Sequence, residues 1–297
     1  MLTADAVSSF QEAPPAYNEW KRIIRVFSRR KISVIGLVII SLLIVTAIFA
    51  PLLAPYDPYQ MDLTGKLAPP SSKHLLGTDS VGRDLLSRII YGSRTSLLVG
   101  VFAVGMAAVV GQTLGLIAAY RGGWTFLIIM RLIDTMMSMP QLVLALVIAS
   151  VLGGGLRNVI IALAIGGIPV HCRMMCGQAL TIKENDYILA ARTIGVSDRQ
   201  MMLRHIFPNA FPPLLVVMTI GMGATILAEA GLSFLGVGIR PPECAWGSMI
   251  NDGYRFLLTN PLLSLAPGVA IMLVVFGFNM MGDGLRDALD PRLRGTL

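Results

Sequence analysis

His171, Cys172 and Cys176 crowd soft metal ligands into one stretch of this 297-residue sequence. A structural zinc site needs four nitrogen or sulfur ligands, as a rule from two such clusters. No second cluster completes the set, so no metal is assigned. The two cysteines stand four apart in an apolar run, on one helix face, and read as small packing residues. Cys244 lies in a different segment, and a disulfide scaffold is not indicated. Three more polar side chains interrupt apolar runs: Asp134, Glu229 and Asn279. Polar groups at membrane depth are costly and face a cavity, a partner or a relay. These three are the candidates for a functional role inside apolar spans. For Glu229 the competing reading is a structural hydrogen bond near the outer end of its run. For Asp134 it is a pair with Arg131 or a helix cap, with a proton relay as a third role.

Nothing in the sequence has the spacing of a catalytic centre. His-Glu-x-x-His is absent, "GLSFLG" is not Gly-x-Ser-x-Gly, and "GDG" at 282 to 284 is not the Gly-x-Gly-Asp of aspartyl intramembrane proteases. No catalytic residue is assigned. A Gly-x-x-x-x-Gly-Lys-Ser/Thr loop is also missing, so the chain has no usual cradle for ATP phosphates.

The segments that must position these residues are apolar helices. The composition is 55% hydrophobic and 14% charged, with a mean hydropathy of +0.70, whereas a soluble domain carries roughly 25% charged residues. Most of the chain is therefore solvated by lipid or by other apolar spans. A net charge of +7 belongs to loops flanking spans, and no nucleic-acid module is present.

A helix needs roughly 20 apolar residues to cross a bilayer. Six runs qualify: Ile32 to Ala54, Leu97 to Ala119, about Phe126 to Leu152, about Val159 to Leu180, about Pro212 to Leu232, and Leu262 to Met281. The first is too long for a signal-peptide core, and Pro51 and Pro55 crowd any cleavage site, so it is expected to stay as an anchor. Pro140 and Pro169 are expected to kink or break their spans. The glycines and alanines of "GVFAVGMAAVVGQTLG" suit close helix packing in lipid. Six spans put both termini on one side. With that side inside, the inner segments hold twice as many lysines and arginines as the outer ones, which places both termini in the cytoplasm. The expected fold is thus all-α and integral to the membrane, with six transmembrane helices. Its parts are a cytoplasmic tail and basic juxtamembrane segment (1–31), an anchor (32–54), an outer segment (55–94), a five-span core (95–285) and a cytoplasmic tail (286–297). In the outer segment Asp84 and Arg88, four apart on an amphipathic helix, can pair. The stretch up to Glu19 reads as mobile, and "WKRIIRVFSRRK" as a basic helix along the membrane surface.

One polar segment, "DYILAARTIGVSDRQMMLRHIFPN" from 186 to 209, lies on the cytoplasmic side within the loop 181–208. Tyr187, Ile188, Ala190 and Ala191 make a short helix with a small face. Gly195 suits the left-handed turn that ends it. Ser197 to Gln200 has capping-box spacing, so a second helix should start near Asp198. Met201, Met202, Leu203 and Ile206 are expected to hold that helix against the bundle, and Pro208, Pro212 and Pro213 to mark the start of the next span. The result is a helix-turn-helix under the membrane that crosses it nowhere. Two readings compete: an amphipathic helix resting on lipid headgroups, and a knob inserted into a groove of a cytoplasmic protein. Alanines at 190 and 191 favour the knob, because a small face allows close approach.

Ala190-Ala191, Gly195 and Pro208 thirteen residues later resemble the EAA loop of ABC-importer permeases, with Leu189 where that pattern has Glu and with His205 and Phe207 at two apolar positions. "HLLGTDSVGRDLLSRIIYGSRTSL", "AEAGLSFLGVGIRPPECAWGSMI" and "FNMMGDGLRDALDPRLRG" are similar to the C-type permease subunit of the dipeptide, oligopeptide and nickel branch. The resemblance implies a type I importer permease fold in a bacterial inner membrane, with the loop as coupling helix. It implies a homologous second permease, two cytoplasmic ATPases that carry ATP and Mg, and an external solute-binding protein. This chain itself would bind no cofactor. The residues implied to dock on the ATPase are Asp186, Tyr187, Ala190, Ala191, Arg192 and Gly195, with Pro208 setting the exit angle. Arg192 also reads as a snorkelling, positive-inside residue. Peptides are the expected cargo, with nickel or glutathione as alternatives in the family. A secondary transporter driven by an ion gradient, with Glu229 and Asp134 as its relay, is the rival class.

Overall fold

The computed structural model describes residues 19–289, and both terminal tails beyond them, with Arg292 and Arg294, lie outside the described part. Among the described residues the architecture is helical throughout. The helices are α1 (Glu19–Arg29), α2 (Lys31–Ile48), α3 (Ala50–Leu53), α4 (Leu85–Arg121), α5 (Gly123–Met137), α6 (Gln141–Leu152) and α7 (Leu156–Lys183). They continue with α8 (Asp186–Thr193), α9 (Asp198–Gln200), α10 (Phe207–Phe234), α11 (Trp246–Tyr254) and α12 (Leu262–Leu289). Five stretches are long and apolar enough to cross a membrane: α2, α4, α7, residues 198–234, and α12. The pair α5 and α6, bent by 89°, makes a sixth if counted as one span.

The bend falls at Pro140, which disfavours helix in the residue before it and cannot supply the next helical amide bond. Pro169 does not act this way, and α7 continues through it. The first run is interrupted as well: α2 stops at Ile48 and the one-turn α3 follows, with Pro51 in its first turn. The second run starts a dozen residues earlier than its apolar content suggests, because the amphipathic stretch beginning at Leu85 is continuous with the span. Gly92 survives inside it for a packing reason. A Cβ there would stand 2.5 Å from the indole nitrogen of Trp246, whose N–H reaches the Ile89 carbonyl at 3.0 Å.

Small residues set the helix contacts. A Cβ on Gly111 would lie 2.6 Å from the Ile168 carbonyl, and one on Gly115 would overlap the carbonyl of Cys172. The backbones of α4 and α7 therefore touch along the face that carries Cys172 and Cys176, both buried. Gly36 of α2 meets Gly277 and Met280 of α12 in the same way. Many large apolar side chains, such as Leu52, Val109 and Ile128, point out of the bundle, as a lipid-solvated surface requires.

At the end of the bundle where α4 begins, Asp84 and Arg88 have other partners than each other. Asp84 caps α4, accepting from the Ser87 amide at 2.8 Å and the Ser87 hydroxyl at 2.7 Å, and lies 2.9 Å from His74 Nδ1. Capping takes precedence because the first-turn amides have no other partner. Arg88 is fully buried and donates to the Pro58 carbonyl at 3.2 Å, with its Nε 3.7 Å from Asp79. It thus clamps the segment between α3 and α4 onto the spans. Beside it, burial pushes the Asp252 carboxyl above the ordinary range. At the other end α1 lies along α12, with Arg30 paired to Asp287.

Candidate functional site

The loop between α7 and α10 folds into a hairpin at the end of the bundle where α4 and α7 finish. Its first arm, α8, splits its side chains by the helical repeat. Ile188 and Ala191, three apart, turn inward and are 0% and 8% exposed. Tyr187, Leu189 and Ala190 face outward, and Ile194 just past the helix is 81% exposed. The small face expected for Tyr187, Ile188, Ala190 and Ala191 is therefore divided, with half of it holding α8 to the bundle. Asp186 occupies the first turn, beside the positive end of the helix dipole.

Gly195 adopts φ +81°, the left-handed turn foreseen for it. Its amide bonds the Arg192 carbonyl at 3.1 Å, and the Val196 amide bonds the Ala191 carbonyl at 3.2 Å. This is the paired closure of a Schellman turn, with Val196 packed near the cluster that holds Ala191.

The second arm departs from expectation in four ways. It starts at Asp198 with Ser197 as N-cap, but the serine side chain makes no capping bond. The arm is not a separate helix: a wide π-helical stretch, Met201–Ile206, carries it directly into α10. The widening suits Pro208, second residue of α10, which has no amide proton for the preceding turn. Pro212 and Pro213 consequently fall inside α10 rather than at its start. Met201 and Ile206 are buried, as expected, and Met202 is half-buried, whereas Leu203 is 53% exposed.

The residue to which all parts of the hairpin return is Tyr120, in the last turn of α4. Its hydroxyl donates to Asp198 at 2.5 Å, and the Arg192 guanidinium lies 5.8 Å from its ring centroid. Lys183, at the end of α7, donates to the Ala119 and Tyr120 carbonyls at 3.2 and 3.0 Å and lies 5.7 Å from the same ring. Sequence reasoning passed over Tyr120 and Lys183. The one available signal was a polar aromatic side chain at the close of an apolar run, just before Gly122-Gly123.

The three intramembrane candidates are not brought together. Glu229 is 1% exposed, and its Oε1 accepts from the Ser233 hydroxyl at 2.6 Å. The Ser233 oxygen in turn accepts the Ile239 amide at 2.9 Å, tying α10 to the loop that follows it. Asp134 pairs with Arg173 of α7 and not with Arg131, because α7 crosses beside α5. Asn279 donates to the Val275 carbonyl of its own helix at 2.9 Å. Among the described residues no group of three His, Cys, Asp or Glu side chains is placed to hold a metal ion.

Comparison with known proteins gives this arrangement its context. Residues 111–295 match the model of binding-protein-dependent transport system inner membrane components. Residues 18–70 match the N-terminal transmembrane domain of oligopeptide transport permease C. The dipeptide transport system permease protein of Alkalihalophilus pseudofirmus is 42% identical over 94% of this chain and 92% of its own length. The probable D,D-dipeptide transport system permease protein of Escherichia coli K12 is 39% identical over 99% of both. A glutathione transport system permease protein of Escherichia coli is 42% identical over 96% of this chain and 93% of its own. A chain of the MetNI methionine ABC transporter, in an inward-facing conformation, shares the fold with a TM-score of 0.57 at 18% identity, covering 69% of this chain and 98% of that one. With both models and full-length relatives in agreement, the chain belongs to the family of binding-protein-dependent transport system inner membrane components, in its oligopeptide permease C branch.

Proposed function

We propose that this permease forms one half of the membrane pathway of an ATP-driven importer of short peptides, gripped from the cytoplasm through α8. A homologous permease supplies the other half. Two ATPases hold ATP and Mg, and an external binding protein delivers the cargo. Both termini and the hairpin face the cytoplasm, in keeping with the excess of lysine and arginine on that side. Peptide cargo is supported by the dipeptide permeases among the relatives, and glutathione, itself a tripeptide, falls within the same chemistry.

The observation that carries docking is the division of α8: one face is fixed in the bundle core, while Tyr187, Ala190 and Ile194 stay uncovered beside Asp186 and Arg192. Leu189, uncovered where the EAA pattern has an acid, makes this an apolar grip without a salt bridge from that position. ATP binding would close the ATPase pair and carry α8 with it. The attached spans would then tilt from an inward-facing to an outward-facing arrangement by rigid-body rotation. Asp134 held by Arg173, and Glu229 held by Ser233, favour structural roles over an ion relay.

Ala190→Arg tests this reading better than a change at the inward-facing Ala191. The substitution is expected to leave the permease folded and abolish copurification of its ATPase and tritiated dialanine uptake. Dialanine uptake by this chain alone, in vesicles without ATP, contradicts it.

A further inference from the structure

Tyr120 stands where one span and the whole hairpin meet. Three separate pieces of chain converge on it: the end of α7 through Lys183, the end of α8 through Arg192, and the start of α9 through Asp198. Tyr120 is 9% exposed and belongs to the apolar cluster that also contains Ile188, Ala191, Met201 and Ile206. It is thus packed on its faces and tethered at its hydroxyl. α4 runs unbroken from Leu85 to Arg121 and is the helix whose backbone touches α7 at Gly111 and Gly115. A displacement of the hairpin therefore reaches a continuous rod, and through it the opposite end of the bundle.

We infer that Tyr120 is a positioning residue for coupling: its hydrogen bond to Asp198 locks the hairpin to α4, so that movement of α8 becomes movement of the span. This rests on the docking of the ATPase at α8 proposed above. Two features separate a coupling bond from a purely structural one. Asp198 lies on the exposed arm of the hairpin, outside the apolar cluster, so the bond adds directional restraint to packing that already exists. The bond also joins groups 78 positions apart in the chain, which no local turn requires.

The test uses the complete transporter, with both permeases, ATPases and the cargo-loaded binding protein, reconstituted in liposomes. The readouts are ATPase copurification, basal ATP hydrolysis and its stimulation by the binding protein, a signal that must cross the spans. Tyr120→Phe keeps the ring and removes the hydroxyl. Copurification and basal hydrolysis are expected to match the parent, while stimulation falls about tenfold, the scale of a lost hydrogen bond to an ionised group. Asp198→Ala should do the same, and Asp198→Asn, which keeps an acceptor oxygen but loses the charge, should fall between parent and Asp198→Ala, at about threefold. Parental stimulation in Tyr120→Phe overturns the inference and leaves ATPase docking intact. Loss of copurification in both Tyr120→Phe and Asp198→Asn overturns it too, by assigning the pair to folding. A parent chain that binds no ATPase removes docking and the coupling role together.

Discussion

The Ser233 hydroxyl donates to Glu229 and accepts the Ile239 amide, so a single oxygen serves both a buried acid and the loop leaving α10. Ser233→Ala would strand both groups, and a buried polar group without its partner costs about 1–3 kcal/mol. The expected result is a lower Tm for the detergent-purified permease, with an unchanged Tm counting against the arrangement. Gly195 makes a sharper case, because no atom lies within 4 Å of where its Cβ would stand. Gly195→Ala therefore carries a conformational cost alone, about 1–2 kcal/mol for a left-handed residue. It should appear as faster hydrogen exchange in α8, with the spans unaffected. Gly195 was legible in the sequence because glycine has a stereotyped place after a helix. Tyr120 was not, since its importance comes from partners in three later elements, and no spacing rule connects position 120 to 183, 192 and 198.

Among the helices, α4 and α7 depend most visibly on the absence of side chains. Gly115→Val would drive a branched side chain into the Cys172 carbonyl, and since both backbones are continuous neither can yield locally. Loss of folded protein from the membrane is expected, measured as the monodisperse fraction after detergent extraction. Gly105→Ala is the control: nothing lies within 4 Å of its Cβ position, and alanine is favoured over glycine in a helix by about 1 kcal/mol, so yield should hold or rise. The apolar runs located these helices well, because lipid demands long uninterrupted hydrophobicity. Their ends were less readable. α4 begins at Leu85 because Asp84 caps it, and Gly92 in its extra turns makes room for Trp246; both facts depend on residues outside the run. The second arm of the hairpin merges with α10 because a widened turn absorbs Pro208, so a proline that reads as a boundary becomes an interior feature. The partners of Asp134 and Arg88 are hidden from the sequence for the same reason. Each had a near neighbour of opposite charge in sequence, and each is claimed by another element in space.

For the molecule as a whole, the helices form a body with two unlike ends. One is closed by Arg88, Trp246 and the Ser233 loop. The other carries the hairpin, fixed to α4 and α7 and presenting Tyr187, Leu189, Ala190 and Ile194 outward. Family membership supplies the setting, transport that depends on a binding protein across an inner membrane. The exposed hairpin face is the handle proposed above for an ATPase subunit. Ile194→Cys places a thiol on that face at a position already 81% exposed. Labelled with a photoactivatable benzophenone maleimide in membranes of the producing cell, it should form an adduct with the ATPase subunit. Labelling by a membrane-impermeant maleimide from outside the intact cell, or photoproducts with lipid alone while uptake continues, would contradict a cytoplasmic grip.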